Sequence, residues 1–202
     1  MYGLMLALMS YPITRGLLRH GICGAAFVML LFVHYALNLG WYRALLRGHQ
    51  NARRKLLTAT DVALLASSTA LVASTLAMMG EVFSFAPFPM PWWGRGLHTT
   101  ATAWTFVLAS FHLGLHGQNI WSSIRRILGR AWLPVTLILL LFGASLFVYS
   151  GLWNDMLMTG IPKTHLTSFP LFLIFYLSIT LFLYIMALYI SVFTRKLYKN
   201  TI

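Results

Sequence analysis

Apolar runs long enough to cross a bilayer constrain this chain more than any other feature. A transmembrane helix needs about 20 predominantly apolar residues. Five stretches meet that length, at about residues 17–39, 56–79, 96–116, 132–152 and 169–194. In hydrocarbon such runs satisfy their own backbone N–H and C=O groups only as helices, because no water is there to do it. The expected fold is therefore an all-α integral membrane protein, a bundle of five transmembrane helices. Residues 1–13 are apolar but too short to span, and they lack the basic start and small-residue cleavage site of a signal peptide. They are expected to form a short, incomplete first helix.

The basic residues then read as topology signals. The formal net charge of +12 would suggest nucleic acid in a soluble domain, but with 59% hydrophobic and 9% charged residues the Lys and Arg lie between apolar runs. Lipid is the expected surroundings, and no nucleic acid is expected. Arg43, Arg47, Arg53, Arg54, Lys55, Arg125, Arg126, Arg130, Arg195, Lys196 and Lys199 fall on one side of the expected bundle, whereas Arg15, Arg19, Arg95 and Lys163 fall on the other. The richer side is expected to be cytoplasmic, with the C-terminus there. Residues 80–95 carry Pro87, Pro89, Pro91, Trp92 and Trp93, and are expected to lie against the opposite headgroups. A single cysteine, Cys23, excludes an internal disulfide and any cysteine-clustered zinc or iron–sulfur site in this chain. Asp61, Glu81 and Asp155 are too few and too scattered for paired-carboxylate hydrolysis.

Four histidines stand inside the apolar runs. His20 and His34 share one run, His98 and His112 another, and each pair is 14 residues apart. At about 100° per residue, 14 steps return to within some 40° of the same face, roughly 21 Å further along the helix. One span separates the two runs, so the helices are expected to point the same way, with His20 beside His98 near the outer surface and His34 beside His112 toward the inner one. Two facing imidazoles at each of two levels is the arrangement that bis-histidine haem ligation needs. A lone intramembrane histidine is accounted for by a hydrogen bond to a neighbouring helix. Four at a repeated spacing, each costly in lipid, point to two haem b groups.

His116 lies one turn after His112, on the same face, and competes with it as the inner ligand. If it is not the ligand, it is a group supporting one, a proton acceptor near a quinone, or an interfacial histidine. Arg19 and Arg95 lie beside the outer pair, where they would either hold haem propionates or meet lipid headgroups. His49 and His165 fall in polar loops and need only solvation. A rival reading takes the histidines as the metal or proton sites of a transporter or channel. No G-x-G-x-x-G fingerprint is present, so any flavin or nicotinamide belongs to another protein.

The segments LMSYPITRGLLRHG, FVHYALNLGWYRALLRG and RGLHTTATAWTFVLASFHLGLH, in that order, resemble the flavinylation-associated membrane cytochrome b family, a bacterial group long filed as a domain of unknown function. The resemblance spans about residues 4–125. It implies that His20, His34, His98, His112 and His116 occupy the family's histidine positions and Asn38 its asparagine. It also implies a bacterial cytoplasmic membrane, a quinone or quinol, and an extracytoplasmic redox partner that carries flavin. Gly21 and Gly117 depart from the pattern, where an acidic residue and a tryptophan often stand. Family members usually begin further upstream, consistent with a shortened opening helix. On this reading residues 1–125 form a di-haem cytochrome b-like domain, and residues 126–202 add two helices to the same bundle.

Overall fold

The computed structural model describes residues 1–11, 16–45, 51–82, 91–159, 166 and 168–199. His49, His165, Arg15, Arg47, Lys163, Pro87 and Pro89 lie outside the described residues. Among those described there is no strand. The helices in chain order are α1 (Tyr2–Met9), α2 (Leu17–Leu37), α3 (Leu39–Leu45), α4 (Ala52–Ala77), α5 (Met79–Val82), α6 (Gly94–His116), α7 (Gln118–Leu128), α8 (Trp132–Tyr149), α9 (Leu152–Met156) and α10 (Phe169–Lys199).

Four helical stretches are long and apolar enough to cross a membrane: Leu17–Leu37, Ala52–Ala77, Gln118–Tyr149 and Phe169–Thr194. The third joins α7 to α8 through a 3-10 turn at Gly129–Ala131. The fifth expected span, α6, is 23 residues long but is not among the four. At about 1.5 Å per residue it has the length; its threonines, Ser110 and three histidines lower the hydropathy of the run.

Part of that polarity faces other helices. α6 packs most closely on α4 and α10, and α10 also packs on α8. Ala101, Ala103, Thr105, Phe106, Ser110, Gly114 and Leu115 of α6 are buried. Thr105 donates to Ser67 of α4 at 3.2 Å, and Ser110 donates back to the Phe106 carbonyl at 2.7 Å. Lipid gives helices no hydrophobic reason to associate, so small residues that allow close van der Waals approach select the contacts. At Gly114 an added Cβ would stand 2.8 Å from Ala187 Cβ and from Tyr184 Cα, and nearer still to the Tyr184 carbonyl oxygen. At Gly143 of α8 it would stand 2.5 Å from Phe182 Cβ and 2.6 Å from the Ser178 oxygen. Both glycines set how near α10 comes.

The opening segment is a docked helix. α1 has 8 residues, about 12 Å, too short to span. It buries Met5 and Leu6, and the Tyr2 hydroxyl reaches Ser110 of α6 at 2.6 Å and Thr180 of α10 at 2.7 Å. α2 is the most exposed of the long helices, with Phe27 and Leu31 buried, and its Tyr35 hydroxyl bonds to Ser68 of α4. It ends at Asn38, whose side-chain amide donates to the His34 carbonyl at 2.7 Å. One of the orphan carbonyls of the last turn is thereby satisfied.

Candidate functional site

Two clusters of ionisable side chains lie at opposite ends of α6, whose length separates His98 in the second turn from His112 and His116 in the last two.

At the first end, His20 of α2 faces His98 of α6. Their ring centroids are 6.2 Å apart with an interplanar angle of 71°. His98 Nδ1 lies 3.3 Å from the hydroxyl of Ser74, which is fully buried on α4 and also donates to the Leu71 carbonyl at 2.8 Å. The His20 ring is hydrogen-bonded to the backbone of Leu8, and the Tyr11 ring packs edge-on against it at 5.0 Å. Each imidazole is thus held from a second element, α4 for His98 and α1 for His20, and retains a second ring nitrogen. Arg19 and Arg95 sit in the first turns of α2 and α6, both exposed at this level. One turn from His20, on the same face, an added Cβ at Gly24 would meet nothing within 4 Å.

The other end differs from the spacing argument. His112 Nδ1 stands 2.8 Å from Asp61 Oδ1 of α4, and both residues are partly buried. The His116 ring stacks at 4.6 Å from His112, tilted by 46°. One ligand atom each from Asp61, His112 and His116 lies within 4.8 Å of the other two. His34 is exposed on α2, and among the described residues the ring in contact with it is that of Tyr35, at 6.0 Å. The structure therefore brings His20 to His98, and brings His112 to Asp61 and His116, but it does not bring His34 to His112. Asn38, a site residue expected from the resemblance, caps the end of α2.

A cavity of about 180 Å³ opens beside this second cluster. Trp41, Arg54, Thr58, Asp61 and His116 line it, with Leu45 and Leu57. Three contacts fasten the surrounding helix ends. Arg53 donates to Ser191 at 3.3 Å, Gln118 donates to the same hydroxyl at 2.8 Å, and Tyr184 donates to the Gly117 carbonyl at 2.8 Å.

Sequence reasoning set Asp61 aside as one of three scattered acids. The signal that finds it is position: it is a carboxylate inside an apolar helix, where ionisable groups are functional candidates by default. Ser74 carried no such signal, because a hydroxyl in a membrane helix is commonly satisfied by its own backbone.

Compared with models of protein families, with curated proteins and with solved structures, the chain matches none.

Proposed function

We propose that this chain is a b-type cytochrome subunit of the bacterial cytoplasmic membrane, with five transmembrane helices and its C-terminus on the cytoplasmic side. In this reading α6 is the fifth span, with Thr105 and Ser110 buried against its neighbours. A haem lies between His20 and His98 near the outer surface. The observation that carries the reading is the facing of those two rings. Imidazoles on opposite sides of one metal, each with a metal–nitrogen distance of about 2 Å, place their ring centroids about 6 Å apart, and the observed separation is 6.2 Å.

The supporting groups fit the same role. A metal-ligating histidine generally offers its second nitrogen to a neighbouring acceptor, which fixes ring orientation and tautomer. Ser74 takes that position for His98 and the Leu8 backbone for His20. The open space at Gly24 leaves room on the His20 face for a flat macrocycle. Arg19 and Arg95, exposed at this level, would meet its propionates by charge-assisted hydrogen bonds. Bound there, haem iron would supply one-electron transfer with both axial positions filled.

The geometry supports one haem. A second haem between His34 and His112, expected from the spacing, has no such support, because the two residues are not together and His112 is engaged by Asp61. With no nucleotide fingerprint of its own, the chain serves as one part of a circuit. A quinol pool and an extracytoplasmic flavin-carrying partner, the classes the resemblance implies, complete the proposal.

The test is a reduced-minus-oxidised spectrum with haem stoichiometry on the purified chain. The expected result is a red protein that loses its haem in both His20→Ala and His98→Ala. A colourless wild-type protein from haem-replete cells would overturn the reading in favour of a histidine-based metal-ion or proton transporter.

A further inference from the structure

We propose that Asp61, His112 and His116 form a mononuclear site for a divalent transition-metal ion, distinct from haem, with one coordination position open to the adjoining cavity. The inference goes beyond the haem at His20 and His98 and does not rest on it. It assigns to this end of α6 a different occupant from the second haem that the spacing predicts.

Two histidines four residues apart lie on one helix face one turn from each other. That spacing lets both imidazoles reach one ion, as in the paired-histidine zinc motifs. α6 supplies this pair, and its rings are already 4.6 Å apart. The third donor comes from α4, the helix packed most closely on α6, so the ion would join the two helices at the end of α6, between two partly buried residues and the exposed His116. The three donor atoms lie within 4.8 Å of one another. A tetrahedral ion with ligand distances of about 2.0–2.2 Å needs them about 3.4 Å apart. The donors must therefore draw together by up to roughly 1.4 Å to hold one ion.

The donor set selects the ion class. Two imidazoles and one carboxylate suit zinc and the divalent first-row metals, whereas calcium and magnesium prefer all-oxygen sites. Three protein ligands and a free fourth position are the pattern of open zinc sites. Here the fourth position faces the cavity lined by Trp41, Arg54 and Thr58. Arg54 adds positive charge to that cavity, which suits water or a small anion as the fourth ligand.

A simple pair of Asp61 and His112 accounts for the carboxylate but leaves His116 unused. Its ring is nonetheless brought to the same point. An ion between the three groups accounts for all of them and offsets the cost of holding a carboxylate in an apolar helix.

The experiment uses the purified full chain in detergent, stripped with a chelator and titrated with Co²⁺, whose visible d–d absorption reports coordination number, with Zn²⁺ as competitor. The expected result is one Co²⁺ per chain in addition to haem iron, with a four- or five-coordinate spectrum that Zn²⁺ abolishes. Affinity should fall at least tenfold in Asp61→Asn and in His116→Ala, and stay unchanged in His34→Ala. Retention of the outer haem by each variant shows that it is folded. Asp61→Glu should restore binding. Co²⁺ binding equal in wild type and both site variants would mark an adventitious surface ion and overturn the inference. Two haems in the wild type, one of them lost in both His34→Ala and His112→Ala, would overturn it as well while leaving the outer haem intact. A chain with no haem that still binds Co²⁺ through these residues would overturn the cytochrome reading and support this one.

Discussion

If His20 and His98 hold a haem as proposed, replacing Ser74 by Ala should loosen it without emptying the site. Ser74 is fully buried, so the substitution removes one oxygen atom from a packed position and adds no bulk. Its bond to the Leu71 carbonyl lies within α4, and the helix keeps its backbone ladder without it. What is lost between helices is the contact with His98 Nδ1, at 3.3 Å a long hydrogen bond. Leaving a buried polar group without its partner costs about 1–3 kcal/mol, and the length of this bond places it at the low end. At about 1–1.4 kcal/mol, haem affinity should fall about five- to tenfold, at or just below the lower limit of the 10–100-fold range typical of groups that orient a metal ligand. The assay is the rate of haem transfer from purified variant and wild type to an excess of a haem-scavenging protein. His98→Ala provides the limit of complete loss. A transfer rate for Ser74→Ala within twofold of wild type would refute the orienting role. Full haem retention in His98→Ala would refute the ligand assignment itself.

Gly114→Ala should destabilise the bundle by about 1–3 kcal/mol through overpacking against Tyr184 and Ala187, whereas Gly3→Ala, where an added Cβ meets nothing within 4 Å, should be neutral; midpoints of detergent unfolding compare them, and equal midpoints would sink the close-approach argument. Tyr2→Phe removes the hydroxyl that bridges α6 and α10, and should cost about 1–2 kcal/mol. It should also speed proteolysis of α1, so an unchanged cleavage rate would show that the helix is held by its apolar contacts alone.

The sequence by itself determined the element type and the apolar, membrane-suited character of the long runs. Runs of about 20 apolar residues leave no alternative to membrane helices, and four of the five expected runs recur as spans of suitable length and hydropathy. Helical periodicity placed His20 and His34 on one face and His98 and His112 on another, and the single intervening span put His20 and His98 at one level. Their rings do meet.

Only the tertiary structure decided what each face looks at. Periodicity fixes the angle between two residues of one helix but says nothing of how that helix is rotated against its neighbours. That rotation follows from close packing at small residues, of which Gly114 against the Tyr184 backbone is one example. It turns His112 toward Asp61 and leaves His34 exposed on α2. It also docks α1 through Tyr2, a contact 108 residues distant in sequence. Asp61 was visible in the sequence as an acid out of place in lipid, but its partners come from another helix. A one-dimensional pattern gives the position of such a group along its helix, and the packing gives its partners.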